Sequence, residues 1–430
     1  MRVFLLDLNR CTGCQACRLA CSIENQLGEE SSWRTVYTFN APGRPQVPRF
    51  HLSLACHHCA DPACLRCCPA RAYTMDGSTG AVLVNPDHCI GCRYCTWACP
   101  YDAPCYLPAA GTIAKCTLCH HRLAEGSSPA CAALCPTGAL QYREADGEAA
   151  AEAVPGFPDT DLHPSIRFIP LRPPGAGPEL RAAAPPAPEP EAAPDGASGP
   201  KASPGREWPL VVFTLGTALL VAVAGAVAEG ALRVSPEVFL MIALGLAGVS
   251  SLHLGRAARG WRAVLNPGQS WLSREILLFL AFAGLTTGFL LGPSTLEIPG
   301  WPAVLAGLAC LYSIDRVYET VSLGIWTRLH SARALLTGLF LLGILGGNPI
   351  VAGIAGLAKL ILYAYRRPWA RGRGRLAAAV LRLGLGFVVP LAVWRVYPQW
   401  VLPAVLAGEL IDRCEYYLDL EIRSPGLHCS

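Results

Sequence analysis

The sequence predicts an α+β domain at the N-terminus, followed by an all-α bundle of eight membrane-spanning helices. Two observations support this division. Eighteen of the 21 cysteines lie between Cys11 and Cys135, whereas nearly all the long apolar segments come after Trp208. Only 15% of the 430 residues are charged, and the mean hydropathy is positive at +0.34. Both values are unusual for a soluble protein, and the separation of the cysteines from the apolar segments indicates two modules with different chemistry.

Composition places two domain boundaries along the chain. Residues 1–180 form the predicted cysteine-rich domain, residues 181–207 a linker, and residues 208–430 the predicted membrane domain. Short apolar runs such as Ala81–Val84 predict short strands between the cysteines. The segment Arg181–Gly205 is rich in Pro and Ala and has few large apolar residues, so it cannot bury enough surface to fold alone.

The first residues and the cysteine content together predict a reducing compartment. The sequence MRVFLLDLNR has no basic segment before an apolar core and no twin-arginine pair, so we expect no export signal. In a reducing compartment, a high cysteine content indicates metal binding rather than disulfide bonds.

The cysteines form four groups of four with characteristic spacing. Groups one and three have the pattern C-x2-C-x2-C-x3-C, group two has C-x2-C-x4-C-x3-C, and group four has C-x2-C-x11-C-x3-C. In ferredoxins, three thiolates from one such loop bind three irons of a cluster, and the fourth cysteine binds the partner cluster. The spacing therefore predicts a ferredoxin-like double-repeat domain that holds four [4Fe–4S] clusters.

An internal repeat predicts which groups share clusters. Cys11–Cys21 resembles Cys89–Cys99, and Pro62–Pro69 resembles Pro129–Pro136. Groups one and four are therefore paired, as are groups two and three. This pairing predicts four ligand sets, one for each cluster. The first set is Cys11, Cys14, Cys17 and Cys135, and the second set is Cys116, Cys119, Cys131 and Cys21. The third set is Cys56, Cys59, Cys64 and Cys99, and the fourth set is Cys89, Cys92, Cys95 and Cys68. Cys67 and Cys105 are left over, and we expect neither to be a ligand.

Three alternatives to four [4Fe–4S] clusters exist. A structural zinc protein would show CxxC pairs around a knuckle, but not repeated quartets followed by Cys-Pro. The segment Cys116–His120 matches the c-type haem attachment pattern, although it lies inside group four. One cluster of the [3Fe–4S] type is the third alternative, but no ligand position is substituted.

The C-terminal half contains eight apolar segments of about the length that a membrane helix needs. They lie near residues 209–228, 237–255, 275–296, 300–316, 331–346, 348–365, 378–396 and 398–414. The fifth and sixth segments are together too long for one span, and Gly346–Pro349 between them predicts a turn.

Positive charge in the loops predicts the orientation of the helices. With eight spans, one side of the membrane carries Arg256, Arg259, Arg262, Arg328, Arg333, Arg366, Arg367, Arg371, Arg373 and Arg375. The other side has little beyond Arg233 and Arg395. Because positive loops stay in the cytoplasm, we expect a multi-pass protein of the inner (cytoplasmic) membrane with its cysteine domain on the cytoplasmic side.

Ionisable residues near the predicted spans indicate a polar pocket. Glu275 and Glu409 are the main candidates, because a quinol needs hydrogen-bond partners and a carboxylate or His to take its protons. We expect Arg256, Lys359 and Arg382 to extend to the interface instead, and we favour the same for Arg316.

Haem b is not expected in the membrane half. Before His428, this half has only His253 and His330, and both lie near predicted helix ends. Haem b usually needs pairs of axial His ligands deep in the membrane.

Two regions of the sequence resemble subunits of one enzyme family. Cys56–Ala70 and Cys89–Pro104 resemble the iron–sulfur subunit of dimethyl sulfoxide reductase and related molybdopterin oxidoreductases. Ser251–Gly255, Ser270–Glu275 and Gly408–Tyr417 resemble the membrane anchor of that enzyme. The chain is thus similar to the two subunits fused in order, over about residues 1–180 and 208–420.

The resemblance implies partners and a quinol site. It implies a separate catalytic subunit with a molybdopterin cofactor, and electrons that come from menaquinol in the membrane quinone pool. It also implies that group one is nearest the catalytic partner and group three nearest the membrane. The implied quinol-site residues are His253, Arg274, Glu275, Glu409 and Arg413.

The sequence therefore predicts an electron-transfer and membrane-anchor subunit of a quinol-linked oxidoreductase complex. Membrane lipid is an expected partner and nucleic acid is not. The rival function is a redox-driven ion-translocating subunit, which would have ionisable residues through the bilayer depth. A passive anchor is a third possibility, but it leaves the acidic residues at the helix ends unexplained.

Overall fold

The computed structural model describes residues 2–28, 32–39, 49–144, 154–172, 201–292, 300–322, 325–366, 373–422 and 425. The chain forms two compact units: the N-terminal unit, Met1–Lys201 with Arg423–Ser430, and the helical unit, Ala202–Ile422. Most of the predicted linker, residues 181–200, lies outside the described residues. The domain boundaries at 180 and 207 therefore remain predictions.

The N-terminal unit is built on short strands, as the sequence predicts. A three-stranded sheet has β1 (Arg2–Asp7) in the centre, antiparallel to β8 (Leu140–Glu144) and parallel to β9 (Ile166–Ile169). Three hairpins complete the strands: β2–β3 (Thr35–Phe39 and Phe50–Leu54), β4–β5 (Tyr73–Met75 and Val82–Val84) and β6–β7 (Cys105–Leu107 and Thr112–Ala114). Phe4, Leu6, Phe39, Phe50 and Phe168 form the centre of an apolar core that also includes several cysteines.

The cysteine loops lead into short helices, and the sequence repeat is visible in their backbone. The helices are α1 (Ala16–Glu24), α2 (Ala63–Cys67), α3 (Tyr94–Ala98), α4 (His120–Ala124) and α5 (Ala130–Ala133). Gly13 and Gly91, at equivalent positions of groups one and three, have φ of +70° and +69°. Gln15 and Arg93, which precede α1 and α3, also match at +64° and +59°. The conformation of Gly13 suits glycine, and an added Cβ would lie 2.6 Å from the His51 ring.

The helical unit contains one long helical segment at each of the eight predicted positions. The segments are α6 (Trp208–Ala228), α7 (Pro236–Ser251), α8 (Trp271–Leu291), α9 (Trp301–Glu319), α11 (Ala334–Leu345), α12 (Pro349–Arg366), the series α13 (Arg373–Leu383), a π-helical turn (Gly384–Val388) and α14 (Val389–Val393), and α15 (Val401–Leu418). A short helix, α10 (Ile325–Arg328), precedes α11, and a 3₁₀ segment covers Ala257–Val264. The predicted turn between the fifth and sixth segments is confirmed, because α11 ends at Leu345 and Gly347 has φ +66°.

Four segments among the described residues are long and apolar enough to cross a membrane. They are Trp208–Ala228, Trp271–Leu291, Pro349–Arg366 and Leu376–Val393. Pro236–Ser251 and Ala334–Leu345 are apolar but shorter, and α9 and α15 carry several charged residues. The C-terminal part of the chain is therefore mostly helical and suited to a membrane, while eight complete spans remain a prediction.

Close helix contacts decide where the polar residues of this unit meet. α6 packs against α7, α9, α11 and α15, and it is the most buried of the four long apolar segments. The π-helical turn packs against α15, where a Cβ added to Gly408 would lie 2.5 Å from the Cα of Gly386. This close approach brings Arg382, at the end of α13, to Glu409 of α15.

Candidate functional sites

The first and third cysteine sets each line a cavity. The first set surrounds about 330 Å³ of space, and the third set about 380 Å³. In the part of the chain that the structure describes, no three Cys, His, Asp or Glu side chains converge closely enough to hold one metal ion. The thiols of each of these two predicted sets thus surround a cavity and do not converge on the position of a single metal ion.

Strand pairing explains why Cys135 joins group one. The β1 residue Leu6 pairs with Leu140 of β8, and the Asp7 N–H donates to the carbonyl of Ala139 at 2.8 Å. Cys11 comes shortly after β1, and Cys135 shortly before β8, so both lie at the same end of the strand pair. Both residues line the same cavity.

The β4–β5 hairpin has the same effect on the fourth set. Tyr73 pairs with Val84, and the Asn85 N–H donates to the carbonyl of Ala72 at 2.7 Å. Cys68 precedes this hairpin and Cys89 follows it, and their thiols are electrostatic neighbours. Cys92 and Cys95 each have Cys68 as a neighbour as well, so the structure brings all four residues together.

Helix packing brings together the second set. α1 packs against α5, and Cys21 of α1 has Cys131 and Cys119 as electrostatic neighbours. Cys116 in turn neighbours Cys131. In the repeat, α2 packs against α3 in the same way and places Cys64 near Cys99.

The environment of the sulfur atoms suits metal-bound thiolates. Burial raises the pKa of the Cys21 and Cys92 thiols to about 12, and that of Cys99 to about 11. Free thiols with such values stay protonated at neutral pH, whereas a coordinated thiol is deprotonated outright. Backbone N–H groups of Ala72 and Leu140 donate to the sulfurs of Cys68 and Cys135 at 3.3 and 3.4 Å. Such hydrogen bonds are one of the features that tune iron–sulfur clusters, so the residues present fit the predicted groups.

The two leftover cysteines lie in different surroundings. Cys105 is in β6, and its thiol donates to the carbonyl of Ala103 at 3.8 Å. Cys67 ends α2, and its thiol donates to the carbonyl of Cys64 at 3.5 Å. Cys67 has Cys95, Cys68 and Cys64 as electrostatic neighbours, so it lies beside the third and fourth sets. That they are not ligands remains a prediction.

Two buried cations face the cysteine sets, and sequence reasoning did not identify either. Arg34 and Lys115 are each 2% exposed. Their charges favour nearby thiolates, and those thiolates raise the pKa of both residues even though burial lowers it. The position of Lys115 beside Cys116 was the only sequence signal available.

In the helical unit, two of the predicted quinol-site residues line one cavity. Glu409 and Arg413 of α15 line about 210 Å³ of space together with Thr214, Leu215, Ala332, Ala334 and Thr337. The Arg413 Nη1 donates to the carbonyl of Ala332 at 3.0 Å, whereas its Nε and Nη2 atoms are buried with no hydrogen-bond partner among the described residues. A carboxylate and unsatisfied guanidinium N–H groups thus meet at one small, partly open cavity.

The other three predicted residues lie in two different environments. Glu275 is buried in α8 and has Arg413 as an electrostatic neighbour, with no salt bridge among the described residues. Arg274 instead donates to the carbonyls of Pro267 and Gly268, both at 2.7 Å, and stacks over Trp271. His253 is half-buried just after α7, and its ring contacts the carbonyl of Ser250. The structure places Glu409 and Arg413 at one cavity and Glu275 in the electrostatic field of Arg413, but gives Arg274 loop partners.

The expectation that Lys359 and Arg382 extend to the interface is wrong. Both side chains are fully buried. The Lys359 ammonium lies 2.8 Å from Glu409, and Arg382 lies 3.0 Å from Glu409 and 3.2 Å from Asp412. We call Lys359, Arg382, Glu409 and Asp412 the buried charge cluster. Its two cations and two carboxylates are balanced, which explains why they can leave the solvent.

The other two residues for which an interfacial position was expected or favoured, Arg256 and Arg316, are less buried. Arg256 is exposed. Arg316 has a side chain that is 33% exposed, pairs with Glu319 at 2.6 Å and lies over the Trp271 ring. A partly exposed cation beside an aromatic ring at a helix end fits the expected role.

Further charges continue from the buried charge cluster along α12 and α15. Arg366 lies 3.7 Å from Asp412 and 2.9 Å from Glu415, and it also pairs with Asp419. His330 contacts both Arg366 and Asp419. Arg413, one turn from Glu409, is held among the rings of Tyr318, Tyr416 and Tyr417 at 4.6–5.5 Å.

Comparison with known proteins places the N-terminal unit. The family model "4Fe-4S dicluster domain" matches residues 47–145. The probable anaerobic dimethyl sulfoxide reductase chain YnfG of Escherichia coli is 43% identical over 147 residues, which is 32% of this sequence and 71% of that protein. An anaerobic dimethyl sulfoxide reductase chain of Haemophilus influenzae is 41% identical over 152 residues, 33% of this sequence and 74% of the relative. This protein belongs to the family of these dimethyl sulfoxide reductase chains.

Membership of this family rests on the N-terminal unit. A tetrathionate reductase subunit of Salmonella typhimurium is also similar, at 42% identity over 137 residues, 31% of this sequence and 54% of that protein. The predicted resemblance to these iron–sulfur subunits is confirmed, and the domain is a 4Fe–4S electron-transfer domain. Each of these matches covers about a third of the sequence.

Sequence reasoning did not find the partners of three polar residues, and the reason is the same for each. Arg34, Lys359 and Asp412 are polar residues whose partners are far away in the sequence, for example Lys359 and Glu409. Spacing within one segment cannot show such pairs. A Lys in the middle of an apolar helix was the available signal, because a charge there needs a partner.

Proposed function

We propose that the chain is the electron-transfer and membrane-anchor subunit of a quinol-linked molybdopterin oxidoreductase complex. The single observation that carries this proposal is the joint occurrence of four cysteine sets and a polar cavity in an apolar helical unit. The sixteen cysteines of the four sets hold four [4Fe–4S] clusters, which transfer electrons one at a time. The helical unit holds the menaquinol that supplies those electrons.

Oxidation of a quinol releases two electrons and two protons, so the site needs hydrogen-bond donors and proton acceptors. Arg413 lines the cavity and has buried N–H atoms without partners among the described residues, so it donates to a quinol oxygen and fixes the ring. Glu275 lies in the field of Arg413 and has no salt bridge in the described part of the chain, so it accepts a quinol proton.

Glu409 has a different role from Glu275. Two cations and the Thr337 hydroxyl, which donates at 3.0 Å, surround its carboxylate. These contacts fix the carboxylate in place, so Glu409 positions the quinol as a hydrogen-bond acceptor. His253 is the second candidate proton acceptor, and Arg274 shapes the loop after Asn266 through its carbonyl contacts.

The remaining partners follow from the family. The curated relatives are named as chains or subunits of reductases, which supports a separate catalytic subunit with a molybdopterin cofactor for this protein. The Arg-rich loops support a cytoplasmic position for the N-terminal unit at the inner membrane. Purification under anaerobic conditions should recover a large molybdenum-containing subunit, and recovery of the chain alone at full activity would contradict this assignment.

Iron content tests the cluster assignment. Four clusters of four irons predict about sixteen irons per chain in anaerobically purified protein. Cys67→Ser and Cys105→Ser should leave that number unchanged, whereas Cys95→Ser should remove or convert one cluster. Iron near eight per chain, or stoichiometric zinc, would contradict the four-cluster assignment.

Substitution of Glu275 tests the quinol site. Glu275→Gln preserves the size of the residue and removes the proton acceptor, and loss of such a group costs about 10²–10⁴-fold in rate. Reduction of the clusters by a soluble dye should persist, because the cysteine sets are unchanged. Asp61→Asn, an exposed carboxylate of the N-terminal unit, is the control. Wild-type quinol turnover in both Glu275→Gln and His253→Ala would place the site elsewhere.

The buried charge cluster favours a second candidate function, redox-driven ion translocation. Lys359 lies in the middle of α12, and its pairs with Glu409 and Asp412 place ionisable groups inside the helical unit rather than at one end of it. In sealed vesicles, an ion-translocating subunit would produce a pH change or membrane potential that Lys359→Met removes while quinol turnover continues. Quinol turnover in the wild type without a pH change or membrane potential would exclude ion translocation and support electron transfer alone.

A further inference from the structure

The described part of the N-terminal unit buries two cations without giving them carboxylate partners. Among the described residues of this unit, Arg34 and Lys115 are the only buried Lys or Arg side chains, and neither forms a salt bridge there. The Arg34 Nη1 donates to the carbonyl and the hydroxyl oxygen of Ser53, both at 3.0 Å. Carbonyl and hydroxyl oxygens satisfy N–H groups but leave the positive charge uncompensated, and an uncompensated buried charge is costly.

Lys115 has the same kind of environment. Its ammonium donates to the carbonyls of Val82 and of Cys116, the latter at 3.0 Å, and lies 3.3 Å from the sulfur of Cys56. The hydroxyl of Ser53, which binds Arg34, lies 3.2 Å from the sulfur of Cys17. Each cation is therefore in direct or one-step contact with the sulfur of a predicted cluster ligand.

The two cations face different pairs of cysteine sets. The thiols in the field of Arg34 are Cys131, Cys17, Cys116 and Cys21, which belong to the first and second sets. Those in the field of Lys115 are Cys56 and Cys64 of the third set and Cys116 of the second. The second set thus faces both cations, the first and third sets face one each, and the strongest charged neighbours of the two cations include no cysteine of the fourth set.

We propose that Arg34 and Lys115 raise the reduction potentials of the clusters at the first three sets and affect the fourth least. A cluster with four thiolates is anionic, and reduction adds one more negative charge. A fixed cation in a buried site stabilises that extra charge, and the effect is large because the surroundings screen it weakly. The inference rests on the four-cluster assignment proposed above and concerns residues that hold no iron themselves.

Potentiometric titration of the full chain, followed by electron paramagnetic resonance, tests this pattern. Lys115→Gln should shift two cluster signals to more negative potential, and Arg34→Gln should shift two as well. A single signal should be common to both variants, and one should move least in both. For each shifted signal we expect at least a tenfold change in the reduction equilibrium, which is about 59 mV for a one-electron couple.

Charge-conserving variants separate an electrostatic role from a structural one. Lys115→Arg and Arg34→Lys keep the positive charge and should keep the wild-type potentials, although they change the hydrogen bonds. Equal shifts in Lys115→Arg and Lys115→Gln would overturn the proposal, as would a uniform shift of all signals. Potentials unchanged in both Gln variants, with iron retained, would also overturn it.

Iron content distinguishes failure of this inference from failure of the cluster assignment. The wild type must show four clusters before any shift is interpreted, so a lower iron content there contradicts the assignment itself. If Lys115→Gln loses iron, Lys115→Met and Arg34→Gln provide the same comparison. Loss of iron from every neutral variant but not from Lys115→Arg would show that the charge is needed for assembly and would replace the proposed role.

Discussion

The N-terminal unit and the helical unit both bury positive charge, but the opposite charge has a different origin in each. In the N-terminal unit, Arg34 and Lys115 face cysteine sulfurs, which become fully anionic only when they bind metal. In the helical unit, Lys359 and Arg382 face the carboxylates of Glu409 and Asp412, which the chain itself provides. One unit therefore depends on its cofactor for charge balance, and the other does not.

This difference has consequences for stability. Buried cations without anionic partners destabilise a fold, so the N-terminal unit without clusters carries a penalty that its small core must offset. The buried charge cluster has no such dependence, because removal of a cofactor leaves its ion pairs in place. We therefore expect the two units to respond in opposite ways to iron removal and to substitution of a carboxylate.

Iron removal should have the largest effect. Because metal binding becomes folding free energy when the site forms only on folding, loss of four clusters should cost on the order of 10 kcal/mol or more. After chelation, hydrogen exchange of residues 2–144 should become fast, while α6, α8 and α12 keep their protection. Loss of protection in both units together would show that the helical unit depends on the clusters as well.

Substitution of a buried carboxylate should have the next largest effect, and only in the helical unit. Asp412→Asn leaves Arg382 and Lys359 with one carboxylate between them, and it weakens the hydrogen bond from Ser331 at 2.7 Å. Breaking a buried pair typically costs about 3–5 kcal/mol. Thermal unfolding in detergent measures the change, and the exposed Asp61→Asn is the matched control, with about 0–1 kcal/mol expected.

A double substitution sharpens this prediction. Arg382→Met with Asp412→Leu replaces the charged pair by apolar side chains and should recover much of the lost stability, because the cost comes from a charge left unpaired. An equal loss of stability in the single and double variants would show that packing, not charge, dominates at this position.

The sequence predicted the cysteine arrangement better than the membrane interior, and the reason is physical. Cluster ligands come from tight local loops, so the spacing around Cys11 and Cys89 and the repeat between them indicated groupings that fit the strand pairs β1–β8 and β4–β5. The eight helical positions were also predicted, because apolar length is a local property. The partnership of Lys359 with Glu409 depends on how distant helices pack, and local patterns contain no information about it.

The position of a residue in the sequence also gave a wrong expectation of its burial. Arg382 precedes a π-helical turn near one end of a predicted span, a position where Arg often extends to the interface. Its actual position follows from the contact between Gly386 and Gly408, which admits no side chain and draws α15 close. A single sequence does not show that two glycines in separate segments are in contact.

Substitution at the glycine contact should reduce stability by an intermediate amount. Gly408→Ala would place its Cβ 2.5 Å from the Gly386 Cα, so the helices must separate, at a cost of about 1–3 kcal/mol. Separation also lengthens the Arg382–Glu409 pair. Gly245→Ala in α7 is the matched control, because a Cβ there has nothing within 4 Å and Ala is the better helix former. Equal destabilisation by both changes would contradict a special role for the contact.

The smallest expected effect comes from a partly exposed pair in the N-terminal unit. Arg122 of α4 lies 2.9 Å from Glu24 of α1, and the two side chains are 29% and 23% exposed. Water screens this pair, so Arg122→Gln should cost less than about 1 kcal/mol. The hydrogen bond from His121, with Arg122 in addition, lowers the pKa of Glu24 against the effect of burial. A carboxyl group with a lowered pKa stabilises the fold when the pH is above the ordinary pKa of that group. This contribution is therefore present at neutral pH and is lost as the pH falls below the ordinary pKa.

The Arg122–Glu24 pair is also the strictest test of the comparison between the two units, because it is a salt bridge with a carboxylate in the unit that depends on its cofactor. Thermal unfolding of the iron-loaded protein at neutral pH, in low and high salt, measures its contribution. A small effect that disappears in high salt would fit a solvated pair beside metal sites that provide most of the stability. A loss as large as that of Asp412→Asn would mean that the N-terminal unit depends on ion pairs of its own, and that the two units do not differ in the way proposed.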